Sequence, residues 1–259
     1  MTAELKSTSQ GRTMVLTLSN PEHRNALAPE MYSAGVEALG AAETNPEVRS
    51  VVLTGEGSIF CSGGNLQRLQ ANRQLPPQSQ AQSIEALHSW IEAIRTFPKP
   101  VIAAVEGAAA GAGFSLALAC DFIVAADNAI FVMAYSNIGL SADGGASWSL
   151  ARALPRQLAN ELLMCGERIA PARLHALGLV NQLTPAGGAL AAALELAGKL
   201  NDRAPNALAS LKELVADAAG ASFSAHLAAE RDHFVRNLHH PNAGIGIAAF
   251  LAKEQPRYR

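Results

Sequence analysis

The sequence predicts an α/β fold in which helices cover a partly parallel sheet. Short apolar runs that are typical of buried strands occur at 50–53 and 101–105, and helical patterns separate them. This alternation continues to about residue 185, whereas residues 206–252 read as helices alone. Alternating strands and helices favour a parallel sheet with helices on its faces. The all-helical tail is therefore expected to form a separate packing unit.

Local signals set the individual elements. A β-like run at 14–18 ends at the turn signal Asn20-Pro21, and Pro29 begins a helix to about Glu43, because proline suits the first helical turn. Residues 71–82 are polar and Gln-rich and hold two prolines, which predicts a loose loop. The remaining predicted elements are a helix from 84 to Phe97, a glycine turn at 107–113, a helix at 114–120, strands at 122–125, 130–133 and 179–183, and helices from Ser147.

Composition limits the classes of partner. The 259 residues are 49% hydrophobic but only 16% charged, and such a thinly charged surface favours an oligomer over an alanine-rich monomer with a large core. The net charge is −2, and the 20 Lys and Arg residues are scattered, which argues against nucleic acid. No run of 18 apolar residues and no apolar leader occur, so neither a membrane span nor a secretory signal is expected.

The cysteines indicate the compartment. Cys61, Cys120 and Cys165 are widely spaced and odd in number, which fits structural thiols in a reducing, cytoplasmic setting. Cys61 lies in a glycine turn, but no His or Asn pattern supports it as a nucleophile.

Two glycine-rich turns carry the first functional signal. SIFCSGGNL and KPVIAAVEGAAAGAG each follow a strand, and the second also precedes a helix. A helix N-terminus offers unpaired N–H groups and a partial positive charge, and small residues leave them open to a ligand oxygen. Two such turns beside one acid could stabilise an enolate. A tight strand–helix junction with no ligand explains the second turn equally well.

Asp143 is the candidate acid. It stands in IGLSADGGASW between a predicted strand and a predicted helix, and Gly144 and Gly145 allow a sharp turn that points it inward. Apolar neighbours are expected around it: Phe131, Met133, Ile138 and Trp148. A solvated turn or N-cap aspartate is the competing interpretation.

Other chemistries lack their patterns. The glycines do not have the GxGxxG spacing of a dinucleotide site, and no GxxxxGK[ST] or GxSxG occurs. The histidines, among them His88 on an amphipathic helix, form no metal-ligand set.

Four stretches together resemble one family. NPEHRNAL, FCSGGNL, the run from KPVIAAVEG to DNAIF, and GERIAPARLHALGLVNQL are similar to the crotonase superfamily, also called the enoyl-CoA hydratase/isomerase family. The resemblance spans about residues 15–253. FVMAYSNIGLSADGGASW is most similar to the bacterial isomerases of phenylacetyl-CoA catabolism, which convert an epoxyphenylacetyl-CoA to an oxepin and shift double bonds in unsaturated acyl-CoAs.

The resemblance implies a fold and an assembly. It implies a crotonase (ClpP-like) spiral of repeated ββα units at residues 1–200, and a helical segment at 201–259 that forms trimers, which can pair into hexamers. It implies no metal or redox cofactor, and coenzyme A enters only as part of an acyl-CoA thioester substrate.

The resemblance also implies the site. The family's two oxyanion-hole N–H donors fall on Gly64 and Ala112, and its isomerase subgroup's single aspartate falls on Asp143. Ser62 is expected to contact the substrate or its CoA portion. Further CoA contacts are implied at Arg24, Ala26, Asn65 and Leu66 and, from a neighbouring subunit, at Phe250 and Lys253.

The family's hydratases use two glutamates, and those positions hold Ser115 and Tyr135 here. Neither can act as a carboxylate base near neutral pH. The expected activity is therefore acyl-CoA isomerisation with Asp143 as proton shuttle. Two alternatives stay open: a hydratase in which Asp143 or a bound water compensates, and a non-catalytic acyl-CoA-binding scaffold.

Overall fold

The computed structural model describes residues 3–258, which contain two β-sheets and the helices that cover them. The strands are β1 Glu4–Gln10, β2 Thr13–Ser19, β3 Ser50–Gly55, β4 Val101–Val105, β5 Ala108–Ala110, β6 Phe122–Ala126, β7 Ile130–Val132, β8 Arg168–Ile169 and β9 Gln182–Thr184.

The helices are α1 Pro29–Thr44, α2 Leu66–Asn72, α3 Pro77–Thr96, α4 Ala112–Ala119, α5 Ala146–Ala153, α6 Arg156–Asn160, α7 Pro171–Ala176, α8 Ala189–Asn201, α9 Pro205–Ala218, α10 Phe223–Leu238 and α11 Pro241–Ala252. A π-helical turn at Glu161–Cys165 follows α6, and short 3₁₀ turns occur at Pro21–His23 and Ser136–Ile138.

The larger sheet has the order β1-β2-β3-β4-β6-β9, and every neighbouring pair except β1–β2 is parallel. Its strands have alternating faces. In β4, Val101, Ala103 and Val105 face the larger core with α1, α3 and α4, whereas Ile102 and Ala104 face α8. Both faces are thus covered by helices, which explains why the central strands read as continuous apolar runs. The predicted α/β class is confirmed.

The smaller sheet, β5-β7-β8, contains part of what the sequence indicated as a turn. Residues 107–113 were expected to be irregular, but Ala108–Ala110 pair in parallel with Ile130–Val132. Three alanines between glycines carry no strand signal, so the pairing comes from tertiary contacts. This sheet ties the second glycine turn to the strand that leads towards Asp143.

The edge strand β1 was not predicted. It pairs antiparallel with β2 through a hairpin at Gly11, whose φ is +58°. Its side chains are mostly exposed, so β1 lacks the apolar alternation by which a strand is usually recognised. The short β8 was also missed, because two residues are too few to show a strand periodicity.

The predicted loop at 71–82 is wrong. Helix α2 extends to Asn72 and α3 begins at Pro77, which leaves only four connecting residues. Pro77 occupies the first turn of α3, where proline is tolerated, and the glutamines that follow are good helix formers on an exposed surface. The segment therefore forms a wall of ordered helix beside the glycine turns.

The C-terminal helices expose large apolar side chains. Phe223, Phe234 and Phe250 are 78%, 68% and 83% exposed, and Leu251 is 76% exposed. The chain end nevertheless returns to the core, where the Arg49 guanidinium donates to the carbonyl of Tyr258 at 2.9 Å. The proposed boundary at residues 200 and 201 falls at the end of α8. It stays a prediction.

Candidate active site

The two glycine turns lie against each other. Cys61 and Ala109 form a parallel bridge, and the N–H of Ala110 donates to the carbonyl of Cys61 at 2.9 Å. Gly63 has φ +91°, and a Cβ there would lie 2.5 Å from the carbonyl oxygen of Ala110. Only glycine permits this approach, so the sequence requires a bare backbone where the turns meet.

Gly64 and Ala112 present main-chain N–H groups at this junction. Ala112 is the first residue of α4, where the helix supplies no acceptor. Within residues 3–258, neither N–H donates to another backbone or side-chain group. Both residues line a cavity of about 620 Å³, which suits a small-molecule ligand.

Asp143 lines the same cavity from the loop that precedes α5. Gly144 and Gly145 have φ +58° and +75°, and a Cβ at Gly144 would lie 2.9 Å from the Cβ of Ser115. These left-handed glycines therefore let the loop fold tightly against α4. The inward position favours the functional interpretation of Asp143 over a solvated turn aspartate.

Ser115 and Tyr135 form one hydrogen-bonded cluster with Asp143. The Tyr135 hydroxyl donates to Oδ1 of Asp143 at 2.5 Å, and it lies 3.3 Å from the Ser115 hydroxyl. Ser115 in turn bonds to the backbone carbonyls of Gly111 at 3.2 Å and Asp143 at 3.0 Å. Ser115 and Tyr135 thus both support Asp143 in this chain.

Burial raises the pKa of Tyr135 well above its usual value, and the negative charge of Asp143 raises it further. The phenol therefore stays protonated and donates to the carboxylate throughout the neutral range. Oδ2 of Asp143 makes no hydrogen bond to another described residue, so one carboxylate oxygen is fixed and the other is free for chemistry.

The expected apolar surroundings of Asp143 are mostly wrong. Of the four residues named from the sequence, only Ile138 lines the cavity, and it is 49% exposed. Phe131 and Met133 lie in the core, whereas Trp148 lies outside the cavity, where the guanidinium groups of Arg95 and Arg152 each pack over its ring. Consecutive residues on α5 point in different directions, and sequence proximity alone did not show this.

Several of the expected CoA contacts surround the first turn. Ser62 lines the cavity, its N–H donates to the carbonyl of Arg24 at 3.1 Å, and Ala26 is buried nearby. Asn65 caps α2, accepting a hydrogen bond from the N–H of Arg68 at 3.0 Å, and Leu66 is 59% exposed at the cavity. Asn65 thus shapes the turn, and its contact with CoA stays a prediction.

Phe250 and Lys253 do not join the site within one chain. Both lie at the end of α11, and neither lines the cavity. Lys253 adopts a left-handed conformation with φ +59° at the helix end. Their expected role depends on a neighbouring subunit and stays a prediction.

Three further cavity residues were missed by the sequence reasoning: Tyr32, Arg68 and His88. His88 was expected to serve only packing, yet it is half-buried at the cavity wall. The helical spacing of α3 could have shown that His88 shares a face with Ile84, but no sequence signal links Arg68 to Tyr32.

The other chemistries considered find little support. Burial raises the pKa of the Cys61 thiol to about 12, which opposes a role as nucleophile. Residues 3–258 contain no group of three or more His, Cys, Asp and Glu side chains that could hold a metal ion. No helix in the same part of the chain is long and apolar enough to cross a membrane.

Known proteins share this fold and sequence over nearly the whole chain. The profile of the enoyl-CoA hydratase/isomerase family matches residues 8–259. A crystal structure of an enoyl-CoA hydratase from Polaromonas sp. JS666 has 71% identity and a TM-score of 0.98, covering 99% of this chain and 100% of that one.

The curated relatives include proteins named as isomerases and proteins named as hydratases. A 1,2-epoxyphenylacetyl-CoA isomerase of Escherichia coli K12 is 33% identical over 95% of this chain and 94% of its own length. A 2,3-dehydroadipyl-CoA hydratase of the same strain is 33% identical over 99% of both chains. A putative enoyl-CoA hydratase of Thermus thermophilus is 36% identical over 96% of this chain and 98% of its own length.

The chain therefore belongs to the enoyl-CoA hydratase/isomerase family and has the crotonase fold. It is an enzyme of that family, whose activity is on acyl-CoA thioesters.

Proposed function

We propose that this enzyme is an acyl-CoA isomerase that shifts a double bond through a thioester enolate. One observation carries the proposal: Asp143 is the only carboxylate among the described residues that line the cavity. A double-bond shift needs one base that removes and returns the same proton, whereas the family's hydratases use two acids to place and activate water. A single acid therefore suits isomerisation better.

The main-chain N–H groups of Gly64 and Ala112 bind the thioester oxygen. Oδ2 of Asp143 removes a proton from the α-carbon of a 3-enoyl thioester, and the electron pair moves into the carbonyl. The resulting dienolate is stabilised by the two donors and by the N-terminus of α4. Asp143 then returns the proton to the γ-carbon, which gives the 2-enoyl thioester. Proton transfer alone completes this cycle, so the proposal needs no metal or redox cofactor.

The cluster around Asp143 supports the proton transfers. Tyr135 holds Oδ1, so the carboxylate cannot rotate freely, and Ser115 fixes the loop by its bond to the Asp143 carbonyl. A charge-assisted hydrogen bond of this kind is among the strong ones in proteins.

A ring-derived acyl group is a further possibility within the same class of reaction. The isomerase relative from E. coli is named for a ring-derived acyl-CoA, 1,2-epoxyphenylacetyl-CoA. In this chain, Gly145 and Ala142 at the cavity wall leave space beside Asp143, although small residues also serve the turn itself.

Hydration is the second candidate, because the 71% identical protein from Polaromonas and two of the curated relatives are named hydratases. In that case Asp143 or a water held by Ser115 and Tyr135 would replace the glutamates. Comparing the hydration of crotonyl-CoA with the isomerisation of 3-hexenoyl-CoA separates the two. Isomerisation should dominate. Dominant hydration that survives Asp143→Asn would contradict the proposal.

We further propose a cytoplasmic homotrimer or hexamer, with Phe250 and Lys253 contacting the CoA of a neighbouring subunit. The exposed phenylalanines of α10 and α11 support this, because a monomer rarely exposes so many large apolar side chains in one segment. Nucleic acid and membrane are not expected partners, since the 20 basic residues are balanced by 22 acidic ones.

A further inference from the structure

Arg68 is a basic residue in the cavity wall whose donors are mostly unused within residues 3–258. Its Nε and Nη1 atoms are buried and have no hydrogen-bond partner within residues 3–258. Nη2 makes one long contact, donating to the Tyr32 hydroxyl at 3.3 Å. No ion pair within the described residues includes Arg68. Buried charged groups are normally paired, so these free donors require an explanation.

Tyr32 does not supply the missing charge. Burial raises the pKa of its phenol, which is only 4% exposed, so Tyr32 is neutral beside the guanidinium. Among the described residues that line the cavity, Asp143 has the only carboxylate, which is bonded to Tyr135 and lies more than 4.0 Å from any nitrogen of Arg68.

The wall formed by α3 is also more polar than an alkyl chain requires. Gln80, Ser83 and His88 line the cavity beside Ile84 and Leu87, so one helical face mixes polar and apolar groups. Gln80 accepts a hydrogen bond from Asn72 at 2.6 Å, and His88 Nδ1 lies 4.0 Å from a carboxylate oxygen of Glu85, but both side chains keep a further polar atom that an alkyl group could not satisfy. An acyl group with oxygen atoms beyond the thioester would satisfy them.

We propose that Arg68 binds a carboxylate at the far end of the acyl chain, so that the preferred substrates are CoA thioesters of dicarboxylic acids. This inference rests on the proposed acyl-CoA isomerase function of the same site. In the ligand-free chain, Nε and Nη1 are shielded from solvent and donate to no described residue. Side-chain rotation away from the weak Tyr32 contact would bring the guanidinium to the carboxylate. Arginine suits this role because its planar donors match a carboxylate.

The test measures binding with two saturated probes that cannot react by isomerisation. Dissociation constants of hexanedioyl-CoA and hexanoyl-CoA are determined by calorimetry for the wild type, Arg68→Met and Arg73→Met. Arg73 is the matched control because it follows the same helix but is exposed and lies outside this cavity. The wild type should bind hexanedioyl-CoA at least about tenfold more tightly.

Arg68→Met should bind both probes alike, with hexanoyl-CoA affinity retained, whereas Arg73→Met should keep the preference. Arg68→Lys keeps the charge without the planar donors and should keep part of the preference for hexanedioyl-CoA. A wild type without preference would overturn the inference. If folded Arg68→Met bound both probes more weakly by the same factor, the inference would also fail, because Arg68 would then contact the CoA portion. It would fail as well if both Arg68 variants kept the full preference for hexanedioyl-CoA.

Failure of the proposed function gives a different pattern. Exchange of the α-protons of hexanoyl-CoA with D₂O tests enolate formation independently of Arg68. Preference for the diacid probe without exchange would contradict the isomerase and leave the Arg68 inference standing, whereas exchange without preference would do the reverse.

Discussion

The two glycine turns and the acid cluster are built in different ways. The donors of Gly64 and Ala112 are backbone groups, and strand pairing and close glycine contacts set their positions. Asp143 depends on individual side chains, because Tyr135 and Ser115 hold it. The half of the site that we propose to bind the enolate thus follows from the fold, whereas the half that we propose to move protons depends on single side chains. A family can keep the first and vary its chemistry through the second.

The largest expected effect comes from Asp143→Asn, which removes the only carboxylate that residues 3–258 contribute to the cavity. The isomerisation rate of 3-hexenoyl-CoA should fall about 10³-fold, because a positioned acid–base group contributes about 10² to 10⁴. Substrate affinity should change little, since the amide keeps the shape. Asp127→Asn, at an exposed turn outside the cavity, is the control. Equal activity of both variants would remove Asp143 from the mechanism.

Gly63→Ala tests the backbone half. Its Cβ would meet the Ala110 carbonyl at 2.5 Å in a left-handed conformation, so the turns must separate. Steady-state kinetics should show a loss on the order of 10², comparable to the loss of one oxyanion donor. Gly64→Ala is the matched comparison, because its Cβ meets only Leu69 at 3.6 Å and the N–H donor remains. Gly64→Ala should lose much less activity. Similar losses in both variants would argue against the close approach as the cause.

Tyr135→Phe tests the link between the two halves, because the tyrosine ring packs near Gly111 while its hydroxyl binds Asp143. Losing a hydrogen bond to a charged group costs about 1.5–3 kcal/mol, so kcat should fall at least about tenfold while KM changes little. Ser115→Ala, which leaves this bond in place, should lower kcat less. An unchanged kcat in Tyr135→Phe would limit Tyr135 to packing.

The smallest effect concerns alkaline stability. The pKa of Tyr135 is raised in the folded chain, so the unfolded chain loses the phenolic proton first. Its contribution is fully present below the unfolded pKa of about 10 and is lost above it, by up to about 1.4 kcal/mol per pH unit. Denaturant unfolding should therefore show a steeper decline above about pH 10 for the wild type than for Tyr135→Phe. Parallel declines would mean that Tyr135 ionises normally.

Much of the fold and of the backbone half could be predicted from the sequence. The apolar runs gave the central strands, and the glycines of SIFCSGGNL and GAAAGAG indicated two bare turns. The Gln-rich α2–α3 segment and the polar β1 were not recognised, because their elements depend on packing and pairing rather than on periodicity.

The acid cluster could be predicted only in part. The glycines beside Asp143 indicated it in the sequence, but its bond to Tyr135 depends on the backbone between the two residues. That backbone contains the 3₁₀ turn at Ser136–Ile138 and the left-handed Gly139. Its course is set by dihedral angles that the residue types alone do not specify. The unpaired donors of Arg68 could not be predicted, because they depend on how α2 packs beside Tyr32.

The central claim is that Asp143 makes an enolate while Gly64 and Ala112 hold its oxygen. Hydrogen–deuterium exchange at the α-carbon of a saturated acyl-CoA, followed by NMR in D₂O, measures this step without any double-bond shift. The wild type and Asp127→Asn should exchange the α-protons, and Asp143→Asn should not. Exchange at the wild-type rate in Asp143→Asn, or none in the wild type, would contradict the account.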